Sequence, residues 1–130
     1  MVKATYRQGS HSKPVVIRLH PGTDIIEGIS EVCKELNIQS GSITTCIGSL
    51  QRASFFSVVP MENKLGGGYS RPISIQSPLE IISAQGSIGT DENDNLFIHI
   101  HGVLNDSNGN AHGGHLIKGE CPVLITSEIL

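Results

Sequence analysis

Leu96-Phe97-Ile98-His99-Ile100-His101-Gly102 and, beyond a polar turn, Ala111-His112-Gly113-Gly114-His115-Leu116 read as two strands folded back on one another. Side chains alternate across a strand, so Leu96, Ile98 and Ile100 share one face while His99 and His101 share the other. The apolar face predicts anchoring in a core, and the opposite face carries two imidazoles at metal-ligand spacing. Asn, Asp, Ser and Gly dominate residues 105–110, a composition that turns the chain and returns His112 and His115 beside the first strand. Residues 94–117 hold four of the six histidines in the chain, which makes this hairpin the place to look for chemistry.

Working outward, Leu79–Gly89 predicts the preceding strand, broken at Gly86, with Leu79, Ile81 and Ser83 on one face and Glu80, Ile82 and Ala84 on the other. Upstream of it, Gly41–Val59 is rich in β-branched and aromatic residues and predicts one long bent strand or two strands, with Gly48 at the bend. Pro60–Tyr69, with three consecutive glycines, predicts a flexible hairpin or a loop at a subunit edge. A strand follows near Pro72, with Ile73 and Ile75 alternating. Pro14–His20 reads as the first strand, and Pro122–Ile129 as the last. Between strands, Asp24 stands three positions before Glu27, the spacing of a capping box, with Thr23 as a rival cap. A helix is expected from there to about Leu36, burying Ile25, Ile26, Ile29, Val32, Cys33 and Leu36. The order of elements predicts an α+β fold: a predominantly antiparallel, bent sheet covered by one main helix. Residues 1–13 read as an N-terminal arm and 14–130 as a single domain.

Composition narrows the function classes. A net charge of −3 and scattered basic residues give no strong nucleic-acid signal; Lys3, Arg7 and Lys13 are the densest basic region. No apolar run reaches membrane-spanning length, and residues 1–13 lack a secretory hydrophobic core, so a cytoplasmic protein is expected. Three widely spaced cysteines, an odd number, argue for buried thiols over a disulfide framework. The Gly-rich segment lacks the Gly-Lys-Ser/Thr ending of a phosphate loop.

His99 and His101 are therefore the first metal-ligand candidates. His115 is the third, because Gly113-Gly114 lets the backbone approach the neighbouring strand, and His112 is its rival and an accessory candidate. Neutral imidazoles in such a set suit zinc or another divalent transition metal, and three protein ligands leave a coordination position open. Glu80, as acid or base, and Arg52, as an anchor for an acidic substrate, are the candidate catalytic side chains.

The ordered set Leu19, Pro21-Gly22-Thr23-Asp24, Ile29, Gly48-Ser49-Leu50, Glu80-Ile81, Gly86-Ser87-Ile88, His99-Ile100-His101 and Gly113-Gly114-His115-Leu116 resembles the plants and prokaryotes conserved (PPC) domain family, of the stand-alone bacterial and archaeal type. More distantly it resembles the acetolactate decarboxylase fold, whose zinc site also uses a His-x-His strand followed by Gly-Gly-His. The resemblance implies a bent antiparallel sheet with one helix, a homotrimer, and a metal triad at His99, His101 and His115. Plant members of the family join this domain to a DNA-binding AT-hook; no Arg-Gly-Arg core of one occurs here. The leading expectation is an oligomeric, zinc-binding domain that recognises a small molecule. The alternatives are a zinc-dependent lyase or hydrolase acting on a small carbonyl compound, and a trimeric regulatory scaffold associated with DNA indirectly.

Overall fold

A computed structural model describes residues 3–10 and 13–130. Within the expected N-terminal arm, residues 3–10 are exposed and form neither helix nor strand, and residues 1, 2, 11 and 12 lie outside the described residues. The elements in chain order are β1 (Ile17–Leu19), α1 (Ile25–Glu35), β2 (Gly41–Ile43), β3 (Cys46–Leu50), β4 (Ala53–Phe56), β5 (Val58–Pro60), β6 (Gly67–Tyr69), β7 (Ile73–Ile75), β8 (Leu79–Thr90), β9 (Leu96–Asp106), β10 (Ala111–Leu116) and β11 (Val123–Ile129).

Nine strands form one sheet in the order β1-β11-β3-β8-β9-β10-β4-β7, with β2 also pairing to β8; β5 and β6 make a separate hairpin. Every pairing is antiparallel. The final strand lies inside the sheet, between β1 and β3, and is held beyond its end by Leu130, whose carbonyl accepts from the backbone of Thr44 at 2.8 Å.

The helix forms where its cap chemistry predicts. Asp24 is the N-cap: Oδ1 accepts the Glu27 backbone N–H at 3.0 Å, and Oδ2 accepts that of Cys121 at 2.9 Å. One buried carboxylate therefore starts α1 and ties it to the segment before β11. Ile25, Ile26, Ile29 and Cys33 are buried against the sheet, and each fully buried isoleucine contributes about 1.5–3 kcal/mol. Leu36, expected in that stripe, is half exposed because it is the C-cap, where the helical rotation ends. Ser30 and Gly28 are buried on this face instead.

Three expectations change in detail. Gly41–Val59 folds as four short strands, β2 to β5, so the bend is distributed over several turns. The strand expected to break at Gly86 runs unbroken for 12 residues. Its alternation also shifts, because the pairing with β9 passes from Ile81↔Leu104 to Ser83↔Val103 and leaves Ile82 as an extra residue. This bulge keeps Leu79 and Ile81 in the core, then puts Ala84 there in place of Ser83.

The core lies between α1 and one face of the sheet, with Leu50, Ile81, Ile100, Leu104, Leu116 and Val123 at its centre. Cys33, Cys46 and Cys121 are free and buried, as their spacing implied. Burial pushes the Cys121 thiol up to about 11, which keeps it protonated and unreactive. The other face of the sheet carries the exposed side chains Ile47, Ile82, Phe97, Val103 and Ile125 together with His99, His101 and His115. No helix among the described residues is long and apolar enough to cross a membrane.

Candidate metal centre

Alternation along β9 sends Ile98, Ile100 and Leu104 into the core, leaving His99 and His101 on the uncovered face. Register supplies the third imidazole, since β10 pairs Gly114 with Gly102 and His115 directly with His101. The two glycines make this register possible. A Cβ on Gly113 would stand 2.3 Å from the Gly102 carbonyl oxygen, and one on Gly114 would stand 2.3 Å from that of Phe56. Any side chain there would push β10 away from both of its neighbours and carry His115 with it.

His99, His101 and His115 each offer one ring nitrogen, and these atoms all lie within 4.8 Å of one another. Among the described residues this is the one such cluster of His, Cys, Asp or Glu. His99 Nε2 and His101 Nε2 are 3.0 Å apart. Two neutral imidazoles facing each other in this way need a shared hydrogen or a common cation between their lone pairs. Zinc–nitrogen bonds of about 2.0–2.1 Å in a tetrahedron place ligand nitrogens about 3.3 Å apart, so small side-chain rotations bring the set to ligand geometry. The donor set fits a zinc-like ion, with three imidazoles and an approach left open by the exposed face.

The electrostatics favour the ligand form of His115. Burial, followed by the charges on His99 and His101, holds its pKa below the ordinary histidine value of 6.5, so the ring stays neutral with a lone pair available. Aromatic rings border it: Tyr69 and Phe56 have centroids 5.1 and 6.2 Å from His115, and Phe97 lies 6.2 Å from His99. Across β8, Gln85 stands opposite His101 and Ser87 opposite His99, supplying neutral polar groups at the other rim.

His112 does not join the cluster. It pairs with the buried Leu104, which assigns it to the opposite face from His115, and its Nε2–H donates to Asp106 Oδ2 at 2.8 Å. Asp106 Oδ1 also accepts the backbone N–H groups of Asn108 and Asn110, both at 2.9 Å. The His112 bond first, and then that from Asn110, lower the Asp106 pKa from 3.8 to about 2. A depressed carboxylate stabilises the folded turn above its ordinary pKa and loses that contribution as pH falls through the folded value. Amide protection at Asn108 and Asn110 is thus expected to persist at pH 4 and disappear toward pH 2, with the midpoint shifted upward in His112→Ala. An NMR titration of the Asp106 carboxyl carbon checks this, and an unchanged midpoint in the variant would refute it.

Glu80 and Arg52 are also placed away from the histidines. Glu80 pairs with Ser49 and Asn105, five positions along β8 from Gln85, on the order of 15 Å at the rise of a strand. It lines an open groove with Ile47, Ile82 and Ile125. Arg52 sits in the turn between β3 and β4. Conversely, Tyr69, Phe56, Gln85 and Ser87 border the site without having been singled out in the sequence. Gln85 and Ser87 follow from register once the Ile82 bulge is known; Tyr69 arrives on the β5–β6 hairpin, which carries no local signal for the site.

Comparison with known proteins agrees with this architecture. The Plants and Prokaryotes Conserved (PCC) domain model matches residues 6–130. A metal-containing protein from Archaeoglobus fulgidus is 26% identical, with a TM-score of 0.76 over 94% of this chain and 80% of that one. A plant- and prokaryote-conserved protein from Pyrococcus horikoshii is 27% identical, with a TM-score of 0.75 over 92% of this chain and 77% of the other. Two Synechococcus proteins named bifunctional protein GlmU are 28% and 27% identical over 114 residues, 88% of this chain. This chain spans only 16% of the length of those relatives.

Proposed function

Because the chain belongs to the Plants and Prokaryotes Conserved domain family, we propose that it is a metal-binding domain, zinc being the best-fitting ion, that recognises a small anionic molecule. The observation that carries this reading is the convergence of the His99, His101 and His115 nitrogens within 4.8 Å on an exposed sheet face. The metal-containing Archaeoglobus relative supports it.

Charge defines the ligand class. Three neutral imidazoles leave a divalent ion with its full double positive charge, and a site bordered by Phe56, Tyr69 and Phe97 screens that charge less than open water. An anionic oxygen, such as a carboxylate, is the complement. A bound zinc ion supplies Lewis acidity toward a carbonyl or carboxylate oxygen. Here Tyr69, Gln85 and Ser87 offer polar groups that orient such a molecule. The open approach favours a second reading, a lyase or hydrolase acting on a small carbonyl compound, because catalytic zinc sites keep three protein ligands and one free position.

The test is metal retention. After chelation, zinc reconstitution and dialysis, the full chain is expected to hold stoichiometric zinc by elemental analysis, whereas His99→Ala and His115→Ala lose it. Equal retention by all three proteins would sink the proposal. Sedimentation of the same samples tests the homotrimer implied by family resemblance, which would cover part of the apolar face bearing Ile47, Ile82, Val103 and Ile125. A monomer at all concentrations would exclude that assembly.

A further inference from the structure

Tyr69 ends β6, outside the main sheet, yet its hydroxyl oxygen lies 3.4 Å from His115 Nδ1. The placement is built. Val58 pairs with Tyr69, and one residue further along, the Ser57 backbone N–H donates to Ser70 Oγ at 3.0 Å while the Ser70 N–H donates to the Ser57 carbonyl at 2.8 Å. Ser57 directly follows Phe56, which pairs with His115. Phe56 also packs on the Tyr69 ring, with centroids 5.5 Å apart. The same short run of chain thus sets both the aromatic wall and the phenol.

A neutral imidazole has one N–H and one bare nitrogen, and only the bare nitrogen binds a cation. Whatever accepts the N–H chooses which nitrogen that is. We infer that Tyr69 is a positioning residue of the metal centre: its oxygen accepts the His115 Nδ1–H, which reserves Nε2 for the ion and leaves the phenol O–H free to donate to an anionic ligand. This rests on the metal-binding reading. It extends that reading by giving a side chain outside the ligand set control over the His115 tautomer and a direct part in recognising the ligand. No proton is transferred in this arrangement.

Tyr69→Phe in the full chain tests the inference, because it removes only an oxygen from a half-exposed ring and leaves the aromatic packing. Long-range nitrogen–proton NMR of zinc-loaded wild type is expected to show His115 protonated at Nδ1 and bound through Nε2. Zinc affinity, read by competition with a chromophoric chelator, should fall about tenfold or more in the variant. Acetate affinity of the cobalt-loaded protein, read from its visible spectrum, should fall about tenfold as the charge-assisted hydrogen bond is lost. Zinc bound through Nδ1 in the wild type, or unchanged zinc and acetate affinities in Tyr69→Phe, would overturn this inference alone. A wild type that holds no zinc overturns the metal reading with it.

Discussion

Gly86→Ala is expected to destabilise the chain by about 3 kcal/mol or more, and Gly86→Val to prevent folding under ordinary conditions. A Cβ at residue 86 would stand 2.1 Å from the His99 carbonyl oxygen and 2.9 Å from the Ile100 Cα. Both are backbone atoms of the paired strand, so no rotamer change relieves the overlap. β8 and β9 must separate, and the strands most affected are those that hold Ile81, Ile100 and Leu104 in the core. Gly89, three residues on in β8, is the control. Nothing lies within 4 Å of a Cβ built there, so Gly89→Ala should change stability by no more than about 0.5 kcal/mol. Urea denaturation of the two variants checks the contrast; equal midpoints would show that the close approach at Gly86 carries no energetic weight. The effect should also reach the histidines, since the displaced carbonyl belongs to His99 itself.

Saturating zinc is expected to raise the melting temperature by roughly 10–20 °C, the second large effect. A ligand that binds only the folded state stabilises it by about 4 kcal/mol at a thousandfold excess over Kd. For a chain of this length each kcal/mol moves the midpoint by roughly 3–5 °C. The folded state is required because His115 comes from a different strand than His99 and His101, and only the β9–β10 register brings the three together. His115→Ala should therefore abolish the shift while leaving the metal-free melting temperature nearly unchanged. His101→Ala should behave likewise, as its side chain is exposed and holds little core energy. A zinc-induced shift of equal size in both variants would place the ion elsewhere. Scanning calorimetry with and without zinc makes the measurement.

What the sequence revealed depended on whether the governing interaction was local. The β9 alternation was plain because Leu96, Ile98 and Ile100 interleave with His99 and His101 at the period of a strand. Asp24 was legible as a cap from its spacing to Glu27, and its carboxylate does accept the Glu27 N–H. Pairing events were hidden. Nothing in Glu80-Ile-Ile-Ser83 announces that Ile82 is an extra residue opposite β9, so the alternation read straight through the bulge and assigned Ser83 and Ala84 to the wrong faces. Gly86 looked like an interruption because a strand glycine signals either a break or a close approach, and only the facing His99 carbonyl distinguishes them. His112 and His115 were rivals in sequence; the register with Leu104 and His101 separates their faces. Tyr69 was beyond reach, because its proximity to His115 depends on how the β5–β6 hairpin packs across the sheet.

The position of β11 bears on how the molecule is made. It is the last of the described strands to be synthesised, yet it sits between β1 and β3 and connects β1, the first of them, to the rest of the sheet. Until Val123–Ile129 emerge, β1 has no partner in the sheet, β3 lacks one neighbour, and the Cys121 N–H that secures the Asp24 cap is missing. Vectorial synthesis therefore delivers a nascent chain with an open seam, exposing the strand edges most prone to pairing with another chain. Closure waits for β11, and the step that seats it joins segments more than a hundred residues apart, as in Ile17↔Ile129.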